Sequence, residues 1–318
     1  VVHTLNLLVS ACLLGTPCRY DGKARSHETM MALTEGGHTL IPVCPEVLGG
    51  LPTPRSPAEI QGSSVINRDG RDVTAEYLAG AKAALALAQK HHCGCAILKE
   101  RSPSCGSELI YNGTFSGTLI PSAGIAAQRL MAHGIPVFGE SAVRALPAHR
   151  GSTPPWPVPL VCRLNAHSPL LSPALDLVWR VFSEFEAPDY SEEGVAEFSR
   201  YIQQESMMQQ LSCGALALWC CLTEGGITGV AALRPPNHIS LLFVDQAFHR
   251  QGIGGALLES AKDYARELSQ AEDLTVNSSP YAVTVYRKLG FLPTGEERVE
   301  NGLRFTPMKY TRQKDWMG

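Results

Sequence analysis

The sequence predicts two α/β domains in series, a doubly wound parallel-sheet domain followed by a domain with a mixed sheet and helices. Three observations predict it. Strands and helices alternate through the first 150 residues, the pattern of parallel strands joined by crossover helices. A proline-rich break then runs from Pro147 to Pro159, with Pro154, Pro155, Pro157, Gly151, Ser152 and Thr153 inside it, which is linker composition. Beyond the break the pattern changes to neighbouring strands, a glycine-rich loop and the helix it opens. The predicted division is 1–150 and 151–318, and a chain of 318 residues suits two domains better than one.

In the first half, Leu5 to Ser10 is an apolar run read as a strand. Glu28 to Glu35 reads as a helix stopped by Gly36-Gly37, and Thr39 to Val43 as a second strand. Thr74 to Lys90 is a long Ala/Leu helix with Thr74 as its expected cap. Cys95 to Lys99 is a third strand, Ser122 to His133 a third helix closed by Gly134, and Ile135 to Gly139 a fourth strand. This is a Rossmann-like arrangement, and such sheets bind ligands beyond the carboxyl ends of their strands.

In the second half, Pro173 to Glu186 reads as a helix with Ser172 as cap and Pro173 at its first position. Ser191 to Gln204 reads as another. Leu216 to Leu222 and Thr228 to Leu233 are strands joined by a loop, and His238 to Val244 is a third. Gly254 to Leu268 is an amphipathic helix, Leu274 to Asn277 a strand and Pro280 to Leu289 a helix. Two late strands meet at Asn301-Gly302, a favoured two-residue hairpin turn.

Composition narrows the function. With 44% apolar and 18% charged residues, the chain has material for packed cores. Its net charge is -3, with +2 up to residue 150 and -5 after it, so a large nucleic-acid footprint is not expected. The longest near-apolar stretch, Ala215 to Leu222, is far too short to span a membrane. The chain starts Val1-Val2-His3 without a basic leader, a Met or a cleavage site. No signal peptide is expected, the chain reads as processed or trimmed, and a cytoplasmic protein is expected. Ten cysteines in such a chain point to reduced, metal-binding or catalytic thiols rather than a disulfide framework.

Three of those cysteines follow strands. Cys12 follows the first, Cys44 the second and Cys105 the third, so all three are expected at one sheet edge. Cys93 and Cys95 precede the third strand and belong at the opposite edge, which makes Cys93-Gly94-Cys95 a decoy. Three convergent thiolates can hold an iron–sulfur cluster with one iron left open. They can also hold zinc with an open position, or pack as three buried, reduced residues.

Five ordered blocks carry a family resemblance over about residues 5 to 145. They are Ser10-Ala11-Cys12-Leu13-Leu14-Gly15, Arg19-Tyr20-Asp21-Gly22, Val43-Cys44-Pro45-Glu46, Gly49-Gly50-Leu51-Pro52-Thr53-Pro54-Arg55 and Ser102-Pro103-Ser104-Cys105-Gly106. This segment resembles the thiouracil desulfidase (TudS) family. The resemblance implies a 4Fe-4S cluster held by Cys12, Cys44 and Cys105, with Cys18 as a neighbour or as a ligand in place of Cys12. It implies desulfuration of a small thiolated pyrimidine, free or as nucleoside or nucleotide, with release of hydrogen sulfide and no net electron transfer. Sulfur would bind the open iron as a soft ligand while water attacks the carbon. It also implies Glu46 as the base for that water and Ser102 as a hydrogen-bond donor or proton relay. By residue type alone, Glu46 is equally a salt-bridge partner and Ser102 a turn cap. Arg55 and Arg101 are candidates to orient the substrate, or are surface arginines, and Asp21 to order the first loop.

In the second half, His249-Arg250-Gln251-Gly252-Ile253-Gly254-Gly255 follows a strand and opens a helix, the context in which backbone amides meet a phosphate. With Tyr286-Arg287-Lys288-Leu289-Gly290-Phe291 behind it, the segment from about 160 to 310 resembles a GNAT N-acetyltransferase, although His249 stands where that family has Gln or Arg. The resemblance implies the GNAT fold and acetyl-CoA or CoA as cofactor. Val244 would pair with the pantetheine arm, Gln251, Gly252, Gly254 and Gly255 would cradle the pyrophosphate, and Asn277 would contact CoA. Tyr286 would be the general acid; by position alone it is also an interior tyrosine. No general base is evident, and Glu224 and Asp245 are the only suggestions. The leading expectation is therefore a desulfidase with a fused acetyltransferase-like domain. The alternatives are an acetyltransferase with a metal- or cluster-sensing first domain, a passive CoA- or nucleotide-binding module, and an editor of thiolated tRNA.

Overall fold

The structure is a computed structural model in which residues 4–145 and 160–311 are described. The predicted Pro147–Pro159 linker lies outside the described residues. The chain forms two compact units, Val1–Leu160 and Val161–Gly318.

The first unit runs β1 (Asn6–Ser10), α1 (Glu28–Glu35), β2 (Thr39–Val43), α2 (Pro45–Leu48), β3 (Ala58–Gln61), β4 (Ser64–Asn67), α3 (Thr74–Lys90), β5 (Cys95–Leu98), β6 (Leu109–Tyr111), β7 (Leu119–Pro121), α4 (Ile125–Ala132), β8 (Val137–Gly139) and β9 (Val143–Ala145). Four strands make a parallel sheet in the order β2-β1-β5-β8. Its central strands are apolar without alternation, because both faces are covered. Leu7, Leu8 and Val9 of β1 and Ala96, Ile97 and Leu98 of β5 are fully buried. The core continues into α3 and α4 through Ala84, Leu85, Ala88, Ala127 and Leu130, and Cys105 belongs to it.

Local corrections have simple causes. The cap expected at Thr74 is supplied by Asp72, whose Oδ1 accepts the Thr74 N–H at 2.8 Å. Thr74 is the first helical residue, and its hydroxyl accepts the Val65 N–H at 2.8 Å, tying α3 to β4. The third predicted helix starts at Ile125 rather than Ser122, since its residues before Gly124 belong to the β6–β7 hairpin and the turn after it. Two short hairpins, β3–β4 and β6–β7, were not expected, because strands of three or four residues leave too little periodicity to read.

The second unit runs β10 (Leu160–Leu164), α5 (Leu171–Phe185), α6 (Glu192–Tyr201), α7 (Gln204–Ser212), β11 (Ala217–Thr223), β12 (Gly226–Arg234), β13 (His238–Val244), α8 (Ile253–Ser269), β14 (Asp273–Ser278), α9 (Val283–Lys288), β15 (Phe291–Pro293), β16 (Arg298–Glu300) and β17 (Leu303–Thr311). Its sheet has the order β15-β17-β14-β13-β12-β11-β10, with β16 paired to β17. Helix α5 starts at Leu171, ahead of the Ser172 cap and Pro173 start expected from sequence, with no side-chain cap. Ser191 does cap α6, its side chain accepting from the Gly194 N–H. The Asn301-Gly302 turn is present, with φ of 49° and 76°, the left-handed pair such a hairpin needs.

One feature of this sheet sets up a site. Strands β11, β12 and β13 pair antiparallel along their lengths. The parallel β13–β14 ladder holds only at His238 with Thr275 and Ile239 with Val276. Both strands continue past that point, β13 to Val244 and β14 to Ser278, so a cleft opens between their carboxyl ends.

Candidate active sites

In the first unit, Cys12 lies in the turn after β1, Cys44 immediately precedes α2 after β2, and Cys105 follows β5. Because β1, β2 and β5 are parallel, all three leave the sheet at the same edge. Cys95 opens β5 at the other end, as expected for the decoy pair. Cys18 is closer to the centre of the group than a bystander would be. Its thiol is hydrogen-bonded to the side chains of both Cys12 and Cys44, and the Cys44 Sγ also donates to the Cys18 carbonyl at 3.7 Å.

Three of the thiols, Cys18, Cys44 and Cys105, resist ionisation. The Cys12 contact pushes Cys18 up, and the Cys18 contact together with burial pushes Cys44 far up. Burial, with the nearby Glu46 charge, pushes Cys105 up to about 12. A set of soft donors that resist ionisation by crowding and burial is suited to a bound cation, whose charge reverses that resistance. Among the described residues no three His, Cys, Asp or Glu side chains are gathered as a single metal ion would need. A four-iron core takes its thiolates at separate corners, and three soft donors leaving one sheet edge are the donor chemistry it needs.

Next to the thiols stands a buried ion pair. Arg55 Nη2 and Nε approach Glu46 Oε2 at 2.6 and 2.7 Å, and the two side chains are 8% and 13% exposed. Ser102 Oγ donates to Glu46 Oε1 at 3.3 Å and accepts the N–H groups of Ser104 and Cys105, each at 3.1 Å. Ser102 is thus both turn cap and donor. Tyr77 of α3, 2% exposed, adds a hydrogen bond to Glu46, and burial with the Glu46 charge holds its phenol well above the usual range. Arg55 also donates to the Cys18 carbonyl through Nη1 and Nη2, both at 3.1 Å. It therefore links the carboxylate to the cysteine loop. Arg101 is exposed, and Asp21 orders the first loop by pairing with Arg19 and accepting the Lys23 N–H.

Glu46 is held in place by backbone packing. A Cβ on Gly80 of α3 would come within 1.9 Å of the Pro45 carbonyl, and one on Gly49 within 1.9 Å of the Glu76 carbonyl. The two glycines let α2 lie directly on α3, which brings Glu46 to Tyr77. The salt-bridge alternative for Glu46 is realised with Arg55, a partner the sequence did not name, and Tyr77 was not expected at all. Gly80, in the middle of an otherwise Ala/Leu helix, was the available signal of close approach.

In the second unit, Gly252 caps α8 with φ of 80°, and nothing lies within 4 Å of a Cβ built on Gly252 or Gly255. The loop backbone is open to a ligand. Gln251 Nε2 donates to the Ala247 carbonyl at 3.2 Å, and Gly254 faces Val244, its Cβ position 3.8 Å from Val244 Cγ2. The His249 ring donates through Nε2 to the Val244 carbonyl at 2.9 Å. Asn277 is exposed on β14, on the face opposite buried Val276 and Ser278. Tyr286 is buried edge-on against Phe291, with ring centroids 5.2 Å apart.

The two suggested bases are placed elsewhere. Asp245 pairs with Arg180 at 2.7 Å and accepts the Ala247 N–H at 2.9 Å, which holds its carboxyl below the usual range against the effect of its burial. Glu224 is exposed at the tip of the β11–β12 hairpin. A third carboxylate, Glu186, follows α5 and hydrogen-bonds to Ser279, the residue after β14. Burial, reinforced by Asp189, pushes it up to about 7.

Comparison with known proteins agrees with this division of the chain. Residues 7–142 match the 2-thiouracil desulfurase family, and residues 186–312 match a GNAT acetyltransferase domain. The uncharacterized protein YbbK of Bacillus subtilis (strain 168) is 42% identical over 145 residues, 42% of this chain and 95% of that protein. The structure of the 4Fe-4S-dependent thiouracil desulfidase TudS is 48% identical, with a TM-score of 0.42, covering 43% of this chain and 92% of that one. The PaiA N-acetyltransferase of Thermoplasma acidophilum, solved with coenzyme A, is 13% identical with a TM-score of 0.41, covering 48% of this chain and 98% of that one. Among the described residues no helix is long and apolar enough to cross a membrane. The chain belongs to the 2-thiouracil desulfurase family through its first domain, and carries a GNAT acetyltransferase domain behind it.

Proposed function

We propose that the protein hydrolyses the carbon–sulfur bond of a small thiolated pyrimidine, replacing the thiocarbonyl sulfur by water oxygen and releasing hydrogen sulfide. The observation that supports this reading is that Cys12, Cys44 and Cys105 follow parallel strands to one sheet edge, where Glu46 stands two residues after Cys44. Cys12, Cys44 and Cys105 would hold a 4Fe-4S cluster, which supplies a soft Lewis acid at the iron those residues leave open.

The remaining work falls to residues of this chain. Glu46 Oε1 accepts the proton of the attacking water. Arg55 fixes that carboxylate through two nitrogens, so the oxygen that receives the proton points one way. Ser102 donates to the same carboxylate, and its hydroxyl can turn to pass a proton toward the departing sulfur. One water is consumed, the carbonyl is formed and the sulfur leaves with two protons, so electrons balance without a redox partner.

The test is anaerobic purification, an iron and sulfide count with an ultraviolet–visible spectrum, and sulfide release from 4-thiouracil and thio-UMP. The expected result is a cluster spectrum and sulfide from the wild type, with both absent from Cys44→Ala. A cluster-loaded wild type that releases no sulfide from either substrate overturns the assignment.

A second reading concerns the second unit, where the β13–β14 cleft beside the open glycine loop favours a bound acetyl-CoA. Val244 and Asn277 would flank the pantetheine arm, and Gln251, Gly252, Gly254 and Gly255 would surround the pyrophosphate. Because His249 already takes the Val244 carbonyl, pairing with the arm is left to other groups of that strand end. Calorimetry with CoA tests it, and the absence of binding overturns it.

A further inference from the structure

One buried hydroxyl in the first unit has nothing to bond. Ser104, the residue before Cys105, is fully buried, and among the described residues its Oγ has no hydrogen-bond partner. A buried donor left unmade costs free energy, so such a group calls for an acceptor. Its backbone cannot carry it elsewhere. The Ser104 carbonyl takes the N–H groups of Ala126 and Ala127 at 2.9 and 3.2 Å, and its own N–H goes to Ser102 Oγ at 3.1 Å. A Cβ on Gly124 would come within 2.5 Å of the Ser104 carbonyl carbon, so the start of α4 lies directly on this turn. The freedom left to Ser104 is the rotation of its hydroxyl.

A second buried hydroxyl lies at the same place. Ser10 closes β1, is 2% exposed, and its Oγ accepts the Lys99 N–H at 2.9 Å. That bond uses an oxygen lone pair and leaves the Ser10 proton for another acceptor. Burial and the Glu46 charge push the Cys105 thiol up, and the Ser10 and Ser104 hydroxyls both pull it the other way, as donors beside its sulfur do. The Cys105 N–H does not compete for that sulfur, because Ser102 Oγ takes it at 3.1 Å.

We propose that the Ser104 hydroxyl donates a hydrogen bond to the Cys105 thiolate when that residue holds a 4Fe-4S cluster, with Ser10 as the second donor. This rests on the reading of Cys105 as a cluster ligand. Cys105 gives its proton to solvent as its sulfur bonds to iron, and the sulfur then carries the charge that the two hydroxyls meet. A hydrogen bond to a ligand sulfur draws electron density from it and from the iron behind it. The iron left open is thereby a stronger acceptor for a thiocarbonyl sulfur. Both serines are positioning residues that act through Cys105.

The test uses the full chain, purified without oxygen and loaded with iron and sulfide. Cluster content, the midpoint potential of the cluster and the iron–thiolate stretching frequencies in resonance Raman are measured, with Tm before and after loading. Cluster-free Ser104→Ala is expected to be no less stable than the wild type, because it loses a hydroxyl with no partner. Loaded Ser104→Ala is expected to show a more negative potential, a higher iron–thiolate frequency and sulfide release lowered about 10-fold. Ser104→Thr, which keeps a hydroxyl, is expected to hold the wild-type potential, and Ser10→Ala to shift it in the same direction as Ser104→Ala. A wild-type potential and Raman spectrum in loaded Ser104→Ala overturn the assignment. So does a Ser104→Ala that fails to fold or melts lower without the cluster, since the hydroxyl would then serve the fold, and so does absence of the cluster from both Ser104→Ala and Ser104→Thr. A wild type that takes up no cluster overturns the underlying reading together with it.

Discussion

The two units each hold a carboxylate at the carboxyl end of a sheet, and they hold it in opposite ways. Glu46 is gripped by a guanidinium through two nitrogens, by the Ser102 hydroxyl and by the Tyr77 phenol. Glu186 has one hydroxyl and, nearby, another negative carboxyl. The difference teaches what burial does to an acid. With a cation in contact through two nitrogens, the carboxylate's geometry is fixed. With only neutral donors, burial moves the proton affinity toward neutrality and leaves a group that can exchange protons in the physiological range.

The strongest way to break the comparison is to remove the cation from the first site. Arg55→Ala leaves Glu46 buried without its counter-charge, and also takes the donors from the Cys18 carbonyl. Loss of one partner of a buried pair costs about 3–5 kcal/mol. Thermal unfolding of the cluster-free protein should show a lower Tm of that order, and sulfide release should vanish. If Arg55→Ala is as stable as wild type, Glu46 is not held by charge pairing.

The matching change in the second site has the opposite sign. The folded-state affinity of Glu186 for its proton is raised to about 7, above the unfolded carboxyl. The folded state therefore binds more protons than the unfolded state between these values. Stability from this group is full below the unfolded value and is lost as pH rises through about 7. Glu186→Gln, which cannot ionise, should gain on the wild type as pH increases across that window, by up to about 3 kcal/mol at 1.36 kcal/mol per unit. Chemical denaturation at pH 5 and pH 8 measures it, and an equal difference at both would mean the carboxyl is not perturbed by folding.

How much of this was legible in sequence differs between the two sites for the same physical reason. The strand-following positions of Cys12, Cys44 and Cys105 follow from periodicity, because one run of strands fixes one edge. The central position of Cys18 follows from the path of the loop after β1, which has no period. Arg55 reaches Glu46 across nine residues of irregular chain, and Tyr77 reaches it only because Gly49 and Gly80 let two helices touch. Glu186 is a deeper case. It sits at the end of a helix whose extent was nearly right, but its partner Ser279 is far along the chain, and Asp245 looked as acidic and as close to the glycine loop. Only the fold shows that Asp245 is occupied by Arg180 and a backbone N–H.

The finest comparison deletes one neutral hydroxyl from each site. Tyr77→Phe removes a hydrogen bond from a carboxylate that keeps Arg55 and Ser102, while the ring goes on packing beneath it. A single net hydrogen bond is worth about 0.5–1.5 kcal/mol, so a small fall in Tm is expected. Sulfide release should persist, since Arg55 and Ser102 still hold Glu46 in place. Ser279→Ala deletes the hydroxyl donor of Glu186, where no cation stands behind it, and there the pH dependence of stability should move. If Tyr77→Phe loses sulfide release while Arg55 and Ser102 still hold the carboxylate, the phenol and not the guanidinium positions Glu46.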